Sequence, residues 1–199
     1  MAEAGERGIR LFVSLDPPVE ARRRAAEWGR AVARAERGLR PVRADAIHLT
    51  LAFLGTLPAG QVEVLDEAIE RVGRTAPELE TGGPLWLPRR RPRALALEVR
   101  EPTGGLESLR ANLVAEIGRA SGWKPDRPGF LPHLTVARAG RGFRPSPGRL
   151  EPAPPLRFRP QAITLYRSHL EPEGARYESL FSLPLDPRAI GGEDQPEAG

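Results

Sequence analysis

Two short segments of this chain carry the same pattern, His48-Leu-Thr50-Leu and His133-Leu-Thr135-Val, each with the alternation of a half-buried strand. Side chains two apart on an extended strand point the same way. Each segment therefore presents one imidazole and one hydroxyl on a single face, while Leu49 and Leu51, or Leu134 and Val136, turn toward a buried layer. The chain holds only three histidines. Finding two of them in this setting is an event of about one in ten thousand shuffles, so the repeat is a constraint on the fold and not a coincidence.

A pair of this kind suits a phosphodiester. Opening a cyclic phosphate with water requires a base to take the water proton and an acid to protonate the departing oxygen. Two histidines on facing strands supply both. The two threonine hydroxyls can donate to the non-bridging oxygens as charge builds there. No metal or other cofactor enters this scheme, and neither histidine motif has a neighbouring carboxylate at metal-ligand spacing. No Gly-x-Ser-x-Gly turn announces a serine nucleophile.

Composition narrows the setting. The absence of cysteine removes disulfides, thiolate metal sites and cysteine nucleophiles together. Lys124 is the only lysine beside many arginines, and the net charge of +4 fits a local anion site better than a long nucleic-acid track. The early apolar run Ile9 to Leu15 is too short for a membrane span and lacks the form of a signal peptide. A soluble cytoplasmic protein without membrane contact is the expectation.

Residues 1–8 and 188–199 read as tails around a single domain at 9–187. Within it, strands are predicted at Ile9–Leu15, Ile47–Gly55, Leu85–Leu87, Ala94–Val99, His133–Arg138, Ala162–His169 and Tyr177–Leu183. Helices are predicted at Val19–Arg37, with Ala21, Ala25, Trp28, Val32 and Ala35 on one face, at Ala59–Arg74, and at Gly105–Ser121 through Leu106, Leu109, Leu113 and Ile117. The order argues for an α+β domain with largely antiparallel strands.

Taken together, Arg10-Leu-Phe-Val-Ser-Leu-Asp16, His48-Leu-Thr-Leu-Ala-Phe-Leu-Gly55, Phe130-Leu-Pro-His-Leu-Thr-Val-Ala-Arg138, Leu165-Tyr-Arg-Ser and Arg176-Tyr-Glu178 resemble the 2H phosphoesterases. The branch they are most similar to is the RNA 2′,3′-cyclic 3′-phosphodiesterases, once named 2′-5′ RNA ligases. The resemblance implies a bilobal fold with a pseudo-twofold axis, two small antiparallel sheets backed by helices around a central cleft. It implies hydrolysis of RNA 2′,3′-cyclic phosphate ends to 2′-phosphomonoesters, with some members reversibly joining tRNA halves through 2′-5′ bonds. It makes His48 the proton donor and His133 the acceptor, and places Thr50, Thr135 and Arg138 on the substrate.

Strict alternation from His133 sends Arg138 to the wrong face, so a bulge or strand end must turn it inward. Phe12 and Phe130 are candidates to line the nucleobase region. His169, without a threonine partner, reads as structural, and the Arg89-Arg90-Arg91 turn as a solvated loop. A monomer is expected. Two other readings stay open: an RNA-end binding module without turnover, and a phosphodiesterase for small cyclic nucleotides or an ADP-ribose cyclic phosphate.

Overall fold

A computed structural model describes residues 8–126, 129–146, 150–171 and 174–186. The predicted tails, apart from Gly8, lie outside the described residues. The elements are β1 (Ile9–Asp16), α1 (Val19–Ala35), β2 (Leu39–Pro41), β3 (Leu49–Leu57), α2 (Val62–Glu70), β4 (Leu79–Leu87), β5 (Ala94–Arg100), α3 (Gly105–Ser121), β6 (His133–Ala139), β7 (Arg157–Phe158), β8 (Ala162–Glu171) and β9 (Gly174–Pro184). Every pairing between these strands is antiparallel.

The strands lie in the order β7-β4-β5-β6-β3-β1-β8-β9, with β2 beside β6. The two histidine-bearing strands, β3 and β6, are neighbours at the middle, and their register consists of one pair, Leu49 opposite Leu134. From that seam the ladder splits into two halves, which is how the expected two sheets are realised. Each half repeats one unit, a strand, a helix and then the histidine strand: β1-α1-β3 in one, β5-α3-β6 in the other.

Pro17-Pro18 ends β1 and opens α1 with a fixed backbone angle suited to a first turn. The face it buries contains Ala21, Ala25, Trp28 and Val32 as predicted, while Ala35 is exposed and Gly29 takes part instead. Gly29 lets the helix approach β6 closely, for a Cβ there would stand 2.6 Å from the Val136 carbonyl oxygen. In α3 all four predicted apolar residues are buried, and the helix closes on Gly122 in the left-handed conformation. Each fully buried leucine or isoleucine of this kind contributes about 1.5–3 kcal/mol from burial.

Differences from the sequence reading have local causes. Helix α2 ends at Glu70 and begins after a 3₁₀ turn at Ala59–Gln61, with Gly73 following where a helix would be least stable. Strand β4 starts at Leu79 because a register shift between Thr81 and Pro84 accommodates Gly82 and Gly83, which look like a turn in the sequence. Strands β2 and β7 are too short to show any period. No helix among the described residues is long and apolar enough to cross a membrane.

Candidate active site

The single pair at the seam fixes the relation of both motifs. With Leu49 opposite Leu134, extending the antiparallel register by one residue each way sets His48 opposite Thr135 and Thr50 opposite His133. Leu49 and Leu134 are fully buried, so these four side chains share the other face. Directly opposed residues have Cβ atoms about 4.5–5.5 Å apart, and diagonal ones lie within about 7–8 Å. The two histidines thus lie on the cleft face diagonally across the Leu49–Leu134 pair, with the threonines on the other diagonal.

The walls of the cleft agree with this crossed arrangement. On one side of the seam a narrow compartment of about 170 Å³ is lined by His48, Thr135, Arg138 and Tyr177. On the other, a wider one of about 540 Å³ is lined by His133, Thr50, Phe53, Phe130 and Trp123. Among the described residues neither threonine hydroxyl has a protein partner, whereas Thr81 and Thr164 elsewhere are engaged. Thr50 and Thr135 are therefore free to donate to a bound group.

Both rings are held alike. His48 Nδ1 lies 2.9 Å from the Ala46 carbonyl, and His133 Nδ1 lies 2.7 Å from that of Leu131. A carbonyl only accepts, so each Nδ1 carries the hydrogen and each neutral ring keeps its lone pair on Nε2. Burial pushes His48 down to about 4, opposed by its bond to Ala46 and reinforced by the charges of Arg138 and His133. His133 is also lowered, by burial first and by Arg138. That Arg138 and His133 act on His48 is itself a sign of their proximity.

A bulge in β6 brings Arg138 to the cleft. Against β5, Thr135 pairs with Ala96 but Ala137 with Leu95, so Val136 is an extra residue and Arg138 shares the face of His133 and Thr135. The same device occurs in β3, where Thr50 pairs with Ser14 and Ala52 with Val13, leaving Leu51 as the extra residue. Phe53 is thereby turned to the cleft face and is 62% exposed. Strict alternation hides Phe53 in the sequence, as it would Arg138 without the bulge expected there; the shared spacing of five residues from each histidine is the signal that links them.

The carbonyls of both bulged residues, lost to the ladder, are satisfied. Val42 N–H donates to Val136 O at 2.9 Å, and Arg110 Nε donates to Leu51 O at 3.0 Å. Arg110 also lies over the Phe130 ring, 4.7 Å from its centre, which ties that ring to the wide compartment.

Phe12 does not offer a face to a base, contrary to the sequence expectation. It is 3% exposed, because it belongs to an aromatic group behind His48. Its ring centre is 4.9 Å from His48, 5.3 Å from Tyr166 and 5.1 Å from Tyr177. Tyr177 meets His48 edge-on at 5.1 Å. Tyr166 is fixed by donating to the half-buried Asp16, 3.1 Å away, which also accepts from Thr164 at 2.7 Å. His169 is paired with Glu178 at 2.7 Å and lies outside this arrangement. Among the described residues no three His, Asp or Glu side chains gather as a metal site would require.

Comparison with known proteins places this arrangement. Residues 16–172 match the model of the 2′-5′ RNA ligase superfamily. The chain is similar to an RNA 2′,3′-cyclic phosphodiesterase of Geobacillus stearothermophilus, 35% identical over 150 residues that cover 72% of this chain. That match spans about half, 47%, of the relative's length. A protein of the same description from Thermus thermophilus is 33% identical over 193 residues, covering 88% of this chain and 90% of its own. The crystal structure of TT0787 of Thermus thermophilus superposes with a TM-score of 0.74 at 29% identity, covering 91% of this chain and all of that one. With its two histidine strands meeting at one seam, the chain belongs to the 2′-5′ RNA ligase superfamily.

Proposed function

We propose that this chain hydrolyses 2′,3′-cyclic phosphate ends of RNA to 2′-phosphomonoesters, with His48 as proton donor and His133 as proton acceptor. The observation that supports it most is the crossed register at the seam, which gathers both imidazoles and both free hydroxyls around one position. Water attacks phosphorus as His133 Nε2 takes its proton. The bond from phosphorus to O3′ breaks, and His48 Nε2 delivers a proton to that oxygen. Thr50 and Thr135 donate to the non-bridging oxygens, and the Arg138 charge lies beside them.

The acid is unusual in being enclosed. A desolvated imidazole resists protonation in the free site, and the anionic phosphodiester placed between the rings supplies the charge that loads it. Once loaded, the cation has the Phe12 ring 4.9 Å away, and a low intrinsic affinity for the proton lets it pass readily to the leaving oxygen. The wide compartment, with Phe53 and Phe130, is the place for the terminal base. tRNA halves are the substrate we favour, acted on by a cytoplasmic monomer, and with a 5′-hydroxyl attacking phosphorus in place of water the same two proton transfers, with O3′ leaving, give 2′-5′ joining.

The test is incubation with a nucleoside 2′,3′-cyclic phosphate in excess chelator, followed by phosphorus NMR. The 2′-phosphate is the expected product. No turnover, strict metal dependence or a 3′-phosphate product would contradict the proposal. Tight binding of the cyclic end without product would favour the binding module instead.

A further inference from the structure

Beyond the seam, the narrow compartment continues along β6 to an arrangement that the hydrolysis of one phosphate does not need. Strand β2 runs antiparallel to β6 with Arg40 directly opposite Arg138. Opposed residues point to the same face with Cβ atoms about 5 Å apart, and like charges so placed are destabilising. Both side chains are exposed, and both line the compartment that holds His48 and Thr135. Among the described residues neither guanidinium has a hydrogen-bonding or acidic partner.

Elsewhere the chain pairs its arginines freely, with Arg23, Arg43, Arg71, Arg100, Arg119, Arg159, Arg167 and Arg176 all facing carboxylates. Among the described residues no carboxylate lines this compartment, and Arg43, which does, is already bound to Asp45. Two free forks side by side, placed about two pleat steps or 7 Å from Thr135, form a cradle for an anion next to the reacting phosphate. In an RNA end, that anion is the neighbouring phosphodiester of the chain.

We propose that Arg40, acting with Arg138, binds the phosphodiester on the 5′ side of the terminal nucleotide, so that the site selects oligonucleotide ends over mononucleotides. This rests on the hydrolysis proposed above and names its substrate class. A small cyclic nucleotide has no group for Arg40. A dinucleotide ending in a cyclic phosphate has one.

The experiment compares kcat/KM for a nucleoside 2′,3′-cyclic phosphate and for a dinucleotide bearing the same end, in the full chain and in Arg40→Gln and Arg40→Glu. The full chain is expected to prefer the dinucleotide about tenfold or more. Arg40→Gln should reduce that preference to near unity and lower the slope of log kcat/KM against log salt for the dinucleotide by about 0.7. Arg40→Glu should invert the preference. Since Arg40→Gln also removes a like-charge pair, its Tm should stay level or rise by about 1–2 °C. Equal use of both substrates by the full chain, or an undiminished preference in both variants, would overturn the subsite while leaving the hydrolysis standing. Failure of the full chain on both substrates would overturn both.

Discussion

At the residue scale, the two histidines share a backbone device and differ in their surroundings. Each donates from Nδ1 to the carbonyl two positions earlier, which frees both Nε2 atoms. His48 is shut in by Phe12 and Tyr177, while His133 opens onto the wide compartment. Replacing either by Ala should lower the rate by about 10² to 10⁴, as removal of a general acid or base does. Catalysis needs one proton on the pair. In the free site His48 is lowered to about 4 and His133 below its ordinary value, so the singly protonated pair is most abundant on the acid side of 6.5. The profile of kcat/KM against pH should therefore be bell-shaped with its maximum below about 6.5 and a fall above it, the two limbs belonging to the pair. The maximum of kcat should lie at higher pH, because bound phosphate favours the protonated rings. A kcat/KM maximum above neutrality would contradict the enclosure of His48.

At the scale of elements, the bulges do the positioning. One extra residue after each threonine turns Arg138 and Phe53 to the cleft, and helix α1 lies against the bulge in β6 through Gly29. An alanine at Gly29 would gain about 1 kcal/mol of helix propensity. It would also drive a Cβ to within 2.6 Å of a backbone oxygen that cannot rotate away, and overpacking of that kind costs about 1–3 kcal/mol. The clash should win: thermal melting of Gly29→Ala should show a lower Tm, and a higher one would mean that α1 is not held against β6 as described. The same elements show what a sequence discloses. Helix α3 and the strand character of both motifs were legible because apolar residues recur at helical or alternating spacing, as in Leu106, Leu109, Leu113 and Ile117. A bulge leaves no such trace, since it breaks the period from which faces are inferred. Arg138 could be expected in the cleft only by positing one, and Phe53 was overlooked. The short β2, which carries Arg40, has no period to read. The depth of Phe12 depends on β8 and β9, whose Tyr166 and Tyr177 cover it from far along the chain.

At the scale of the whole molecule, two similar halves meet where their histidine strands share one residue pair and where β2 and α1 lie against β6, and the chemistry is placed at the join. Neither half holds a complete set: His48 faces Thr135 and His133 faces Thr50, so each imidazole is completed by a hydroxyl from the other half. The buried faces of both halves, with Leu49, Leu134 and Val136 at their centre, form one core, which holds the seam in register without any group having to cross the cleft. The account stands or falls on both rings reaching one phosphorus. A crystal structure of the chain with a nucleoside 2′-phosphate bound tests this most directly. The account predicts one phosphate at the seam, with Nε2 of His48 and Nε2 of His133 each about 2.7–3.2 Å from oxygens of that same group. A phosphate held by one histidine alone, or rings separated by packed side chains, would contradict it.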